Sequence, residues 1–190
     1  MNRRSYALTT VAVAVLIVIA AVAYYYLGPQ HSRVQNASQS PIVGKAQVGQ
    51  PAPNFEVATT GGFFVLDKAQ KPVFLEVFAT WCPHCQREAA VIDRVYRKYR
   101  DRVDFVAVSG SDTGMDGTSP SSEEDVLAWR QRFHVIYPVA YDPVLNVANL
   151  YLQGGFPTIA IIARNKRVEY LNSGELSYRE LTAAVARVLV

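Results

Sequence analysis

Phe78-Ala79-Thr80-Trp81-Cys82-Pro83-His84-Cys85 contains both cysteines of a 190-residue chain. It also lies where one hydrophobic period gives way to another. Upstream, the run from Pro72 to Ala79 is apolar except for Glu76, the pattern of a strand buried on both faces. Downstream, Ala89, Ile92, Val95, Tyr96 and Tyr99 recur at helical spacing, with Arg94, Arg97 and Lys98 on the other side, so Pro83 to Arg100 reads as an amphipathic helix. The cysteines therefore sit where a buried strand opens into a helix. The first N–H groups of a helix have no internal partner and carry a partial positive charge, and both features stabilise a thiolate.

This placement assigns roles. Cys82 is expected to be the exposed nucleophile. Cys85, one turn later on the same face, is expected to be more buried and to resolve a mixed disulfide. Pro83 falls near the first helical position, where its missing N–H costs nothing. His84, if protonated, favours the Cys82 thiolate, and a stable thiolate is a good leaving group, which makes such a pair oxidising. Glu76, six residues before Cys82, alternates into the interior beneath the cysteines, where it could pass a proton to or from Cys85. Other uses of the pair fit less well. A disulfide closing so short a loop staples little. A zinc site needs about four ligands, and the chain has only these two cysteines. Asp112, Asp116, Glu123, Glu124 and Asp125 are too loosely spaced for a calcium loop, and His31 and His134 read as surface residues. No metal and no dissociable cofactor is expected.

Further out, Asn2-Arg3-Arg4 precedes an uncharged apolar run from Tyr6 to Leu27, long enough for the roughly 20 residues of a spanning helix. Arg3 and Arg4 place residues 1–5 in the cytoplasm and the remainder outside. A cleavable signal peptide ending near Ala21-Val22-Ala23 is the rival reading, and it exports the same domain. Residues 28–47 read as a polar, flexible tether and 48–190 as one globular domain. Within that domain, Val103–Val108 reads as a second buried strand and 110–120 as a loop. A helix should start at Ser121, with Ser121 and Glu124 in capping-box spacing, and run to about Phe133. A short helix follows from Asp142 to Tyr151, then strands over 158–163 and 167–171, then a last helix over 177–189. The order implies a mixed sheet with helices on both faces. The net charge is +3, with basic residues scattered rather than clustered, so no nucleic-acid partner is expected.

The quoted octapeptide resembles the active site of the thioredoxin superfamily, and its membrane-anchored, extracytoplasmic TlpA/ResA-like branch matches best. Val48-Gly49-Gln50-Pro51-Ala52-Pro53-Asn54-Phe55 looks like the entry of that branch, and Asp142 with Tyr151-Leu152-Gln153-Gly154-Gly155-Phe156-Pro157-Thr158 like its second half. The resemblance implies a thiol–disulfide oxidoreductase with protein substrates. It implies a cis Pro157 facing the cysteines, and a substrate backbone pairing with Phe156 in a site that includes Thr158. Trp81 becomes a packing and substrate-facing ring. Direction is divided. Pro83-His84 resembles periplasmic disulfide oxidases, which favours an oxidant. The tethered branch favours a reductant of the cytochrome c maturation type, fed by a membrane redox partner. Ala90 stands where the family often has a kinking proline, so a straighter first helix is expected. A peroxiredoxin-type thiol peroxidase is disfavoured by Ala79 and Leu75 at positions where that branch has Thr and Pro. A copper-handling chaperone is disfavoured by the close cysteine spacing.

Overall fold

The structure is a computed structural model that describes residues 15–19, 22 and 44–189. The chain divides into two units, Met1–Ile42 and Val43–Val190. In the first, residues 15–19 and Val22 are helical and exposed. The expected span over 6–27 and tether over 28–47 otherwise lie outside the described residues, and no helix among those described is long and apolar enough to cross a membrane.

The second unit starts earlier than its sequence suggests. Ala46 is buried, its N–H donates to the Leu150 carbonyl at 2.8 Å, and its carbonyl accepts from Gln153 Nε2 at 3.3 Å. Residues 44–47 therefore belong to the domain and not to a tether, because one small apolar side chain in a polar run fills a slot in the core.

The domain is built on seven strands: β1 (Glu56–Thr59), β2 (Gly62–Val65), β3 (Val73–Phe78), β4 (Asp104–Ser109), β5 (Val139–Tyr141), β6 (Thr158–Ile162) and β7 (Val168–Ser173). Their spatial order is β2-β1-β5-β4-β3-β6-β7. The central β3 runs parallel to β4 and antiparallel to β6, and every residue in it is buried. Its near-continuous apolar sequence follows from being covered on both faces. On one face pack α1 (Pro83–Tyr99), α2 (Glu123–Arg132) and α4 (Tyr178–Ala186), enclosing Phe74, Phe78, Ile92, Trp129, Ile159 and Leu181. On the other, α3 (Asn146–Tyr151) and the N-terminal segment cover Leu66, Leu75, Val77, Val108 and Ile162. Both cores close within residues 43–190, so this unit holds the apolar contacts its own folding requires.

Several boundaries shift for identifiable reasons. α2 is capped by Ser122 and Asp125, not by Ser121 and Glu124. Ser121 is committed to the preceding loop, its N–H donating to the Asp112 carbonyl and its carbonyl accepting from Tyr141 Oη. α4 has a second capping box, Ser177 with Glu180, and ends at Ala186. α1 runs unbroken through Ala90 for 17 residues.

Candidate active site

Cys82 is the N-cap of α1 and Pro83 its first residue, so the strand-to-helix junction lies where the periodicity put it. Both cysteines are free thiols. Cys85 is fully buried, as expected. Cys82 is not the exposed group the sequence suggested: only 3% of it is accessible. The reason is the loop ahead of β6. The Phe156–Pro157 bond is cis, and it turns the Phe156 carbonyl onto Cys82, whose Sγ lies 3.6 Å away. The Phe156 ring meets Trp81 edge-on with centroids 6.0 Å apart, and Trp81 Nε1 donates to Ser111 Oγ at 2.9 Å. Trp81 thus links the β4–α2 loop to the site. Thr158 is buried, and its hydroxyl donates to the Gly155 carbonyl at 2.8 Å and accepts from Gln153 N–H, so it holds the proline loop in shape from inside.

Another close approach fixes the end of β4. Gly110 donates to the Phe78 carbonyl at 2.8 Å, and a Cβ there would stand 2.5 Å from Val77 Cγ1 and 2.8 Å from Ala148 Cβ. Only glycine lets the backbone pass this near the strand that leads into the cysteines.

Beneath the thiols lies buried acid. Glu76 is 1% exposed, shares a strand face with Phe74 and Phe78, and has no ion pair among the described residues. Tyr137 Oη donates to its Oε2 at 3.3 Å, while Oε1 is buried without a partner. Burial holds its carboxyl well above the usual range, assisted by the nearby Glu88. The Cys85 thiol is likewise pushed far up, first by burial and then by the Glu76 charge, so Cys85 keeps its proton.

Sequence reasoning missed Glu88. It lies one turn beyond Cys85 on α1, and it is completely buried. Its Oε1 accepts from Leu176 N–H at 2.7 Å, and Oε2 has no partner. Burial raises its carboxyl from 4.5 to about 7. Its i+3 spacing from Cys85 was the available clue. The residues after β7 also pair with exposed groups. Glu175 Oε2 lies 3.0 Å from His84 Nδ1 and 2.6 Å from Arg87 Nη2, and Arg87 Nη2 is itself 2.6 Å from His84 Nδ1. His84, Val91, Phe156, Glu175 and Leu176 line a groove of about 670 Å³ beside Cys82. Among the described residues no group of three His, Cys, Asp or Glu side chains could hold a metal ion.

A dithiol at a helix start, a buried acid below it and a cis-proline loop above it on a mixed sheet define a thioredoxin-superfamily oxidoreductase. The chain belongs to the Redoxin family, whose model matches residues 47–187, and within that family it is ResA-like. It is 27% identical over 147 residues to the thiol-disulfide oxidoreductase ResA of Bacillus cereus, covering 76% of this chain and 80% of that protein. It is 26% identical over 137 residues to the thioredoxin-like protein YneN of Bacillus subtilis, covering 71% and 76% of the two chains. Among solved structures it resembles a thiol:disulfide interchange protein DsbE from Chlorobium tepidum, with TM-score 0.66 and 24% identity over 77% of this chain and 100% of that one. It also resembles dsbF of MTB, with TM-score 0.57 and 27% identity over 70% and 94% of the two chains.

Proposed function

We propose that this chain is a membrane-anchored, extracytoplasmic enzyme that exchanges disulfides with protein substrates through Cys82 and Cys85, and that it runs as an oxidant. The observation that carries the site assignment is the Phe156 carbonyl 3.6 Å from Cys82 Sγ, with buried Cys85 one turn further along α1 and the buried Glu76 carboxyl near enough to shift it. In the oxidised enzyme a substrate thiolate attacks Cys82 Sγ. The Cys82–Cys85 bond breaks, a mixed disulfide forms, and the electron pair leaves on Cys85 sulfur, which takes a proton from Glu76. A second substrate thiolate then attacks the substrate's own sulfur in the mixed disulfide. Cys82 departs as a thiolate, the substrate disulfide is complete, and two electrons remain on the enzyme as the dithiol. No dissociable cofactor enters these steps, and a membrane redox partner reoxidises the pair. Phe156, flanking the groove, offers its main chain to the substrate.

Pro83-His84 supports the oxidant direction through its likeness to the dipeptide of periplasmic disulfide oxidases. One observation favours the second reading, a reductant of the cytochrome c maturation type. Glu175, 3.0 Å from His84, offsets the positive charge that reading the dipeptide alone assigns to it. The domain is equilibrated with glutathione buffers to separate the two. A potential near about −120 to −180 mV supports the oxidant, and one at or below about −270 mV makes it a reductant. Export and anchoring rest on the apolar run at 6–27 after Arg3 and Arg4. Membrane fractionation and protease protection of the full chain test both.

A further inference from the structure

Charge is unevenly distributed along the domain. Of the chain's 19 Lys and Arg residues, Arg3, Arg4 and Arg33 precede residue 43, which leaves the domain as many cations as its 16 acids. The strand ends sort these charges. β3 and β4 end beside the cysteines; Asp112 and Asp116 follow β4 in its loop, Glu123 and Glu124 open α2 after that loop, and Glu175 follows β7 and pairs with Arg87 and His84 of α1. The opposite end is made by the starts of β3 and β4 and the β6–β7 turn, since Val73 pairs with both Asp104 and Ile162. Lys68, Lys71, Arg102, Arg164, Lys166 and Arg167 gather there against Asp67, Asp101 and Asp104. Lys68, Arg102, Arg164 and Arg167 are exposed, and among the described residues only Lys71 of the six makes an ion pair, at 3.7 Å to Asp104. Three cations, Lys71, Arg102 and Arg164, line a cleft of about 540 Å³ together with one acid, Asp101, and with Val188 and Leu189, and its volume is large enough for a phosphate group. The chain's entry into the domain is fastened to the same end: Gly49 N–H donates to the Val168 carbonyl and Ala52 N–H to the Lys166 carbonyl, both at 2.7 Å.

We propose that this basic end docks on anionic phospholipid headgroups and so holds the domain with Cys82 turned away from the bilayer. The cellular setting rests on the anchor reading above, whereas the binding is a property of residues 43–190 alone. Docked this way, the acidic, cysteine-bearing end faces soluble substrates. A neutral domain with mixed charge throughout would gain nothing from such a surface, but a polarised one is oriented by it.

Sedimentation of residues 43–190 with vesicles of phosphatidylcholine alone, or with about one third phosphatidylglycerol, tests this at low salt. Binding is expected only to the anionic vesicles and is expected to vanish near 0.5 M salt, where screening is short-ranged. Each cation at the surface adds about fivefold to partitioning, so R102Q/R164Q/R167Q should bind roughly 100-fold more weakly. R102K/R164K/R167K should bind like the parent, which separates charge from folding. R94Q/R132Q/R179Q removes the same charge from exposed helix positions and should bind nearly as well as the parent. No binding to anionic vesicles, or equal losses in the two glutamine variants, overturns the proposal. Failure of the full chain to fractionate with membranes would instead remove the anchor and leave the vesicle result standing on its own.

Discussion

Glu88→Gln tests whether the buried acids carry the charge state the geometry assigns them. The carboxyl rises from 4.5 to about 7 on folding. Between those values the folded chain binds a proton that the unfolded chain has released. Stability attributable to Glu88 is therefore full below about pH 4.5 and falls by about 1.4 kcal/mol per pH unit up to pH 7, a total of about 3 kcal/mol. Glutamine keeps an oxygen for the Leu176 N–H. Its NH2 replaces an oxygen that already lacks a partner, so any cost there does not vary with pH. Urea unfolding of the reduced protein at pH 5, 6, 7 and 8 gives the difference in stability between parent and variant. The variant should gain on the parent by about 2.5 kcal/mol between pH 5 and 8, a relative midpoint shift of roughly 1–2.5 M urea. Titration of groups that do not interact with Glu88 cancels in that difference, and the release of Glu76 from the Glu88 charge adds to it. Parallel stability curves would show that Glu88 ionises normally in the folded protein, and the account of a low-dielectric acid pair beneath the cysteines would fail with it.

Three further outcomes follow from the site and its supports. Cys85→Ser should accumulate a mixed disulfide between Cys82 and a disulfide-bearing peptide, visible by intact mass, whereas Cys82→Ser should form none; a trapped adduct in the latter would exchange the two roles. Glu76→Gln should keep the fold and slow release at Cys85 by roughly 100-fold in stopped-flow exchange, and an unchanged rate removes the proton-transfer role. Gly110→Ala should cost about 1–3 kcal/mol in urea unfolding, because its Cβ would meet Val77 and Ala148 at 2.5 and 2.8 Å.

The elements that periodicity can specify were legible, and those held by long-range contacts were not. β3 and α1 are long and strongly patterned, so the strand-to-helix junction at Cys82 was placed from sequence. β1, β2 and β5 have three or four residues each, too few for a period to stand out. β1 and β2 hold each other as a short hairpin, and β5 takes its strand character from neighbours remote in sequence, β4 and Thr59 of β1. The closing of Cys82 was invisible for a similar reason, because the covering carbonyl belongs to Phe156, 74 positions away. Glu88 was hidden by its chemistry. A charged residue type counts against burial even though Glu88 stands four before Ile92 and seven before Val95, on the apolar face, and the Leu176 N–H that offsets its burial arrives only after β7.

Burial also separates the two sets of charges around the dithiol by what they can do. Glu175, His84 and Arg87 are exposed, and their mutual pairing is screened by water. Glu76 and Glu88 lie in the interior with Cys85, where charge is weakly screened and each negative group raises the next. When the Cys82–Cys85 bond breaks, the leaving sulfur adds a negative charge to that buried space unless a proton reaches it at the same step. An ionised Glu76 would oppose that step, and a protonated one supplies what it needs. In the proposed exchange, the same desolvation that makes the carboxyl hold its proton suits it to protonate Cys85, which ties the proposed step to proton delivery from below rather than to the ion pairs on the surface.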